Sequence, residues 1–390
     1  MARKQNSPVE GRVAVAIPVH NEVALIGRCL QGLAEQNTPE PFDVVLLLNN
    51  CSDGTEIVVH RMASELPFRL QVHEYWLEPQ LVNAGIARRM AMQHAASFVR
   101  GDGVLLTTDA DSVVPSDWIA ANLAHIQGGC DAVAGRTRMD PDDEALLPAS
   151  LGEDEADVME FAALLDEIDD CLDPCPHDPW PRHTEHSGAS IAVRAALHGQ
   201  VGGIPSIPSG EDRAFFQRLR EVDARIRHAP EIVVTVSGRL VGRAAGGMAE
   251  TIARRMHQPD IWLDDDLETT SRRARRARLR ATVELARRQG VAREALECLA
   301  GELLVKPCLV EQAILAPSLG SGWSELERIS PSLMRMPVLR AELAGESQKA
   351  RSLLRELRYR SVLSSGPTYP ADTAALGSAG QGSRLAASPE

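Results

Sequence analysis

The sequence predicts an α/β protein: a mostly parallel sheet with helices on both faces, followed by a C-terminal helical appendage. Two observations carry this. Between Gly11 and about Pro259, short β-like runs apolar at nearly every position alternate with longer runs apolar at helical spacing. Strands apolar on both faces and separated by helices belong in a parallel sheet covered on both sides. From Leu267 to Leu363 the strand signal is gone and an Arg-rich helical pattern remains, broken at Gly290, Pro307, Pro317 and Pro331.

In chain order, VAVAIPV (Val13 to Val19), DVVLLLN (Asp43 to Asn49), FRLQVHEYW (Phe68 to Trp76), GVLLTTD (Gly103 to Asp109) and DAVAGRTRM (Asp131 to Met139) read as strands. EVALIGRCLQGLAEQ, GTEIVVHRMASEL, LVNAGIARRMAMQHAASFV and SDWIAANLAHI between them read as helices. Next, in EDEADVMEFAALLDEIDDCLDP, Val158, Phe161, Leu165, Ile168 and Leu172 fall on one stripe, which predicts a surface helix with a solvated acidic face. A β-like ASIAV, a Gly/Pro/Ser loop VGGIPSIPSG and a helix EDRAFFQRLRE follow. The run SRRARRARLR, Ser271 to Arg280, reads as a solvated helix face, with docking on an anionic surface or a partner as the alternative. The expected division is a flexible N-terminus over 1–10, a core domain over 11–260, a helical region over 261–363 that offers a surface for homodimerisation, and a disordered Gly/Ser/Ala/Pro-rich tail over 364–390.

The bulk numbers exclude several classes. A formal net charge of −13 over 390 residues opposes general nucleic-acid binding, which needs summed Lys and Arg charge. The opening MARKQNSPVEGR has no apolar h-region and no window reaches the length of a membrane span. Seven cysteines, an odd number without framework spacing, fit a reducing compartment. The expectation is a cytoplasmic protein.

In parallel sheets, ligands bind beyond the carboxyl ends of the strands. The polar residues there are His20, Asn21 and Glu22 after the first strand, Asn50 and Asp53 after the second, and Asp109 and Asp111 after the fourth. Two carboxylates one residue apart at a strand end, as in LLTTDADS, can ligate Mg²⁺ or Mn²⁺, which fill their shells with water and diphosphate. Asp also ends strands and caps helices, and Asp117 before Trp118 fits that lesser role.

AIPVHNE, LLLNNCSDGT, LVNAGIARR, LLTTDADS and PSGEDRAFF, in this order, resemble the family 2 glycosyltransferases of the GT-A fold, over about Gly11 to Met248. The resemblance implies a metal-assisted, inverting, hexosyltransferase-like enzyme that moves one sugar from a UDP- or GDP-sugar to a hydroxyl of a small or glycan acceptor. Pro18, His20 and Glu22 would line the nucleoside pocket with Asn50 beside them, and Asp53 would hydrogen-bond the base. Asn83 and Arg88 would lie near the diphosphate, Asp109 would contact ribose or metal, and Asp111 would ligate the metal. Asp212 would be the general base and Glu211 would hold the acceptor or orient its neighbour. Trp180, His186, Gly188 and Ala189 would line the acceptor. Arg239 and Arg243 in SGRLVGR are the cations best placed in sequence to meet diphosphate.

Plain alternatives stay open beside these roles. Asp53 can cap a helix, Arg88 can be a solvated helix residue, and Glu211 and Asp212 can start a helix and favour its dipole. Cys171, Cys175, His177, His183 and His186 invite a zinc reading, but their spacing matches no common module. HNE stands where YNE or RNE is more frequent, and NNCSDGT places an amide where many members have a carboxylate. QPDIW has Ile261 where processive members carry arginine, which argues against chain extrusion. The rival readings are a sugar nucleotidyltransferase, for which IPVHNE lacks a Gly-rich phosphate loop, and a catalytically degenerate sugar-nucleotide sensor or scaffold.

Overall fold

The computed structural model describes residues 13–242, 247–258 and 260–364; Arg243, residues 1–10 and the tail after Ser364 lie outside the described residues. One sheet of eight strands contains β1 (Val13–Val19), β2 (Phe42–Asn49), β3 (Arg69–Tyr75), β4 (Val104–Thr107), β5 (Ser112–Val113), β6 (Ala132–Met139), β7 (Ile191–Arg194) and β8 (Ile226–Val236), in the order β3-β2-β1-β4-β7-β6-β8-β5. The helices around it are α1 (Ile26–Ala34), α2 (Thr55–Met62), α3 (Ala84–Ala96), α4 (Trp118–Gln127), α5 (Pro141–Glu144), α6 (Ala149–Leu172), α7 (Ala195–Gln200) and α8 (Glu211–Glu221). After them come α9 (Met248–His257), α10 (Thr270–Gln289), α11 (Arg293–Leu303), α12 (Pro307–Ile314), α13 (Leu319–Ile329) and α14 (Leu343–Ser364).

The alternation in β1 builds the layers. Val13, Val15, Ile17 and Val19 pack with α1 and α4, through Ile26, Leu30, Trp118 and Ile119, on one face. Ala14 and Ala16 point to the other face, where α3 and α8 supply Ala87, Ala91, Met92, Phe215 and Phe216. Small residues there let α3 lie close on the sheet, which brings its N-terminal turn to the strand ends.

The half β3-β2-β1-β4 is parallel, as expected. The rest is mixed: β6 and β8 pair parallel, but β7 runs antiparallel to both β4 and β6, and β5 antiparallel to β8. Because Ile191 at the start of β7 pairs with Thr107 at the end of β4, the chain enters β7 from the crevice side. Gly188 and Ala189 are thereby delivered to the carboxyl ends of the parallel strands.

The two charged helices depart from the solvated faces expected of them. Phe161, Leu165 and Ile168 of α6 share a cluster with Ala274 of α10 and Leu343, Ala350 and Leu354 of α14. Their charges meet in the same interface: buried Arg273 contacts Asp169 at 2.7 Å and Asp166 at 3.4 Å, and Arg280 pairs with Asp173. Arg276 forks onto Glu268 at 2.7 and 2.8 Å and reaches Glu327 at 2.7 Å. Burial pushes the Asp166 carboxyl up to about 7 against the pull of Arg273. A buried pair stripped of one partner strands the other charge, so Arg273→Ala is expected to lower stability by about 3–5 kcal/mol with an unchanged denaturant m-value. Urea unfolding checks this. Among the described residues no helix is long and apolar enough to cross a membrane.

Candidate active site

The carboxylates after β1, β4 and at the start of α8 converge on one crevice, organised by two arginines. Arg88, on the second turn of α3, is buried beneath it. Its Nη2 donates to Asp109 Oδ1 at 2.7 Å and its Nε to Glu211 Oε1 at 3.1 Å. Its Nη1 donates to Thr107 Oγ1 at 3.1 Å and to the Gly188 carbonyl at 2.9 Å. Burial alone would push the guanidinium pKa down, but Asp109 and Glu211 more than offset it and hold it up. Arg88 is therefore an interior strut rather than a solvated helix residue. Gly188 is what the close approach requires, since a Cβ there would sit 2.4 Å from the guanidinium carbon.

Arg239, three residues past β8, is the second organiser. Its Nη1 and Nη2 fork onto Glu22 Oε2 and Oε1 at 2.6 and 2.7 Å, and Nη2 also lies 2.9 Å from Asp111 Oδ2. Glu22 is buried, and its backbone N–H donates to Thr55 Oγ1 at 2.8 Å. Burial and the neighbouring Asp109 push the Asp111 carboxyl up to about 7, against the pull of Arg239. The two like charges at the strand end are thus each answered by a different arginine.

Gly210 caps α8 in the left-handed region, at φ 75°, which turns the chain so that Glu211 and Asp212 lead the helix. Asp212 Oδ2 accepts from the Gly188 backbone N–H at 3.0 Å and Oδ1 from Arg213 N–H at 2.7 Å. Burial and the adjacent Glu211 raise its pKa above the ordinary carboxylate value. Perturbed carboxylates gathered in a cleft are a signature of functional sites.

The residues expected to line a nucleoside pocket have structural duties. Asp53 takes the Val23 N–H on Oδ2 at 3.0 Å, and the Thr55 N–H and hydroxyl on Oδ1 at 3.0 and 2.5 Å, tying β1's exit to the start of α2. Against the desolvation of burial, these bonds, led by that of the Thr55 hydroxyl, hold its pKa down. Asn50 exchanges two 2.9 Å hydrogen bonds with the backbone of Leu77 and sits at φ 51°, and His20 Nδ1 lies 2.6 Å from the Asn49 carbonyl. Asn83 caps α3, its Oδ1 accepting from Ile86 N–H at 2.9 Å. Pro18, half-buried, is the penultimate residue of β1, opposite Leu47.

Of the residues expected to line the acceptor, Ala189 is buried in the cluster that holds one face of β1. His186 Nε2 accepts from Arg220 at 3.1 Å, lies 3.2 Å from His228 Nε2, and its ring packs 4.6 Å from Phe216. Burial, with His228 and Arg220 next, holds His186 well below its ordinary pKa, so it is neutral. His228 is fixed by Asp178 at 2.7 Å, a buried pair to which no sequence signal pointed. Trp180 is 38% exposed, and the carbonyls on either side of it, of Pro179 and Pro181, accept from Arg227 at 2.7 and 2.8 Å.

Two carboxylates with partly exposed side chains, 33% for Asp109 and 20% for Asp111, suit a hard cation whose shell is completed by water and phosphate. They do not suit a stand-alone metal centre, because among the described residues no three His, Cys, Asp or Glu side chains are grouped to hold an ion. The same holds for the zinc candidates, where only Cys175 Sγ and His177 Nε2 meet, at 3.1 Å. The sequence also left unmarked Asn49 Oδ1 and Thr108 Oγ1, buried at the ends of β2 and β4 without a hydrogen-bond partner. Buried polar atoms of this kind need an explanation, and their place beyond the strand ends was the available signal.

Comparison with known proteins places residues 14–172 in a match to the family model described as glycosyl transferase family 2. No curated protein sequence matches the chain. Among solved structures, the chain is similar to the mannosyltransferase PcManGT from Pyrobaculum calidifontis in complex with GDP-Man and Mn²⁺, at 18% identity over 92% of this chain and 83% of that one, with a TM-score of 0.43. It is similar to S. aureus TarS 1–349 in complex with UDP-GlcNAc, at 18% identity over 90% and 92% of the two chains, with a TM-score of 0.44. A third is glucosyl-3-phosphoglycerate synthase from Mycobacterium tuberculosis with Mn²⁺, UDP-Glc and phosphoglyceric acid, at 17% identity over 65% and 83%, with a TM-score of 0.38.

Proposed function

From the premise that residues 14–172 carry a family 2 glycosyltransferase domain, we propose that the chain moves a single sugar from a nucleotide-diphosphate donor to an acceptor hydroxyl with inversion at the anomeric carbon. The observation that carries this reading is the pairing of two differently tuned sites on one crevice. Asp109, Asp111, Glu22 and Arg239 form a charged cluster at the ends of β1 and β4, and Asp212 stands across Arg88 and Gly188 from it.

In this reading the nucleoside lies over the ends of β1 and β2, past Pro18, His20 and Asn50, and the diphosphate meets Arg239. The acceptor hydroxyl attacks the anomeric carbon as the bond from that carbon to the diphosphate oxygen breaks. Its proton passes to Asp212, and the bonding electron pair leaves with the nucleoside diphosphate. A positioned base contributes about 10²- to 10⁴-fold to such a step. The raised pKa of Asp212 makes it a stronger base than an ordinary aspartate, and its two backbone hydrogen bonds fix its aim. Asp109 and Asp111 would hold Mg²⁺ or Mn²⁺, which when bound neutralises charge on the diphosphate. Neutral His186, wedged between Arg220 and His228, supports the acceptor side by holding the Ser187–Ala189 segment in place.

The test is hydrolysis and transfer from a panel of UDP- and GDP-sugars, with the anomeric configuration of the released sugar followed by NMR. Inversion is expected in the first turnover. Retention would overturn the inverting mechanism, and no release from any donor under conditions where one binds would support the degenerate-binder reading.

A further inference from the structure

Resting on the reading of this crevice as a diphosphate site, we propose that Arg239 is the resident cation of the carboxylate cluster: it fills the space between Glu22 and Asp111 that a divalent ion would take, so that metal binding waits on the diphosphate that draws the guanidinium away.

The geometry leaves little room for both. Arg239 forks onto Glu22 at 2.6 and 2.7 Å while the same Nη2 lies 2.9 Å from Asp111 Oδ2, so one planar group bridges two carboxylates that would otherwise repel. Asp109, the other carboxylate of the pair, is already bound to Arg88 at 2.7 Å. No third ligand stands ready among the described residues. A free Mn²⁺ ion must therefore displace from Asp111 a guanidinium that a two-pronged, charge-assisted contact to Glu22 holds in place, with only two carboxylates to gain.

A diphosphate changes the balance, because phosphate oxygens match the guanidinium fork as well as a carboxylate does. The loop that carries Arg239 is pinned just upstream: Asp143 Oδ2 accepts from Gly238 N–H at 2.7 Å and from the Ser237 hydroxyl at 3.3 Å. Gly238 is packed so closely that a Cβ would lie 2.6 Å from Met139 Sδ and 2.8 Å from Asp143 Cβ. The backbone is held, and the long side chain, 24% exposed, is the part free to change partners. Two ligands that each require the same rearrangement bind with positive coupling, and the first to bind alone is weakened by the fraction of molecules already rearranged.

The test is Mn²⁺ titration of the full chain, followed by the EPR signal of free Mn²⁺, with and without UDP or GDP. Wild-type protein should bind Mn²⁺ at least about tenfold more tightly with the nucleoside diphosphate than without it. Arg239→Gln should bind Mn²⁺ without nucleotide at least about tenfold more tightly than wild type, and Asp111→Asn on that background should abolish the gain. Arg239→Lys, which keeps a cation but loses the fork, should fall between and serves if the glutamine variant does not fold. Equal Mn²⁺ affinity of wild type and these variants without nucleotide overturns the proposal. Failure of every nucleoside diphosphate to bind would instead overturn the donor-site reading, and the nucleotide-free comparison would still decide the place of Arg239.

Discussion

Asp212→Asn is expected to lower sugar transfer by about 10²- to 10⁴-fold while donor affinity stays within about threefold of wild type. The amide is nearly the same size and keeps an oxygen for the Gly188 N–H, so the fold should survive; a neutral group at a site that raises a carboxylate's pKa costs less to bury than a charge. What is lost is the lone pair that takes the acceptor proton. Wild-type Asp212 must be ionised to act, and burial and Glu211 raise its pKa. The rate should therefore fall as pH drops, along a limb lying above the ordinary aspartate value of about 3.9. Rates and donor affinity measured separately across pH check both statements; transfer at wild-type rates in the variant would remove Asp212 from the chemistry.

Arg88→Met should be the most destabilising single change at the site, at about 3–5 kcal/mol, because it strands buried Glu211 and the Asp109 oxygen that Arg88 bonds. The loss arises from uncompensated charge more than from the missing side chain. Adding Glu211→Gln to Arg88→Met should therefore recover part of it, whereas two independent sites would add. Urea unfolding of the two single variants and the double decides. A loss below about 1 kcal/mol for Arg88→Met would mean that the crevice is wetter than its burial suggests.

Much of the site was legible because it lies at places where local sequence rules and global topology agree. β1, β2 and β4 announce themselves by unbroken apolar runs, and the residues following them, Glu22, Asp53, Asp109 and Asp111, can be put at the strand ends without knowing any long-range contact. Asn83 and Gly210 sit at helix starts for reasons of capping and backbone freedom that the sequence displays. Partnerships were harder. Nothing near SGRLVGR reveals that Arg239 reaches back 217 residues to Glu22, and β8, whose run is interrupted by Arg227, His228 and Pro230, was not marked as a strand.

The acidic and basic helices show the same gap from the other side. Asp166 and Asp169 on α6, Asp173 at its C-cap, and Arg273 and Arg280 on α10 each satisfy the pattern of an exposed charged face. A helix pattern records which residues share a face, and whether that face meets water or an opposite charge is settled only by what packs against it. Here it meets opposite charge, and the helical region is joined to the core through ion pairs, that of Arg273 with Asp169 the more buried.

The central claim, that the crevice at the ends of β1 and β4 holds a nucleotide-diphosphate sugar, is tested most directly by calorimetric titration of wild type and Asp111→Ala with UDP- and GDP-sugars in the presence of Mn²⁺. At least one donor should bind wild type, with affinity reduced by about tenfold or more in the variant, the scale of one charged contact at a diphosphate site. No binding by any nucleotide sugar, or equal binding by both proteins, would contradict it.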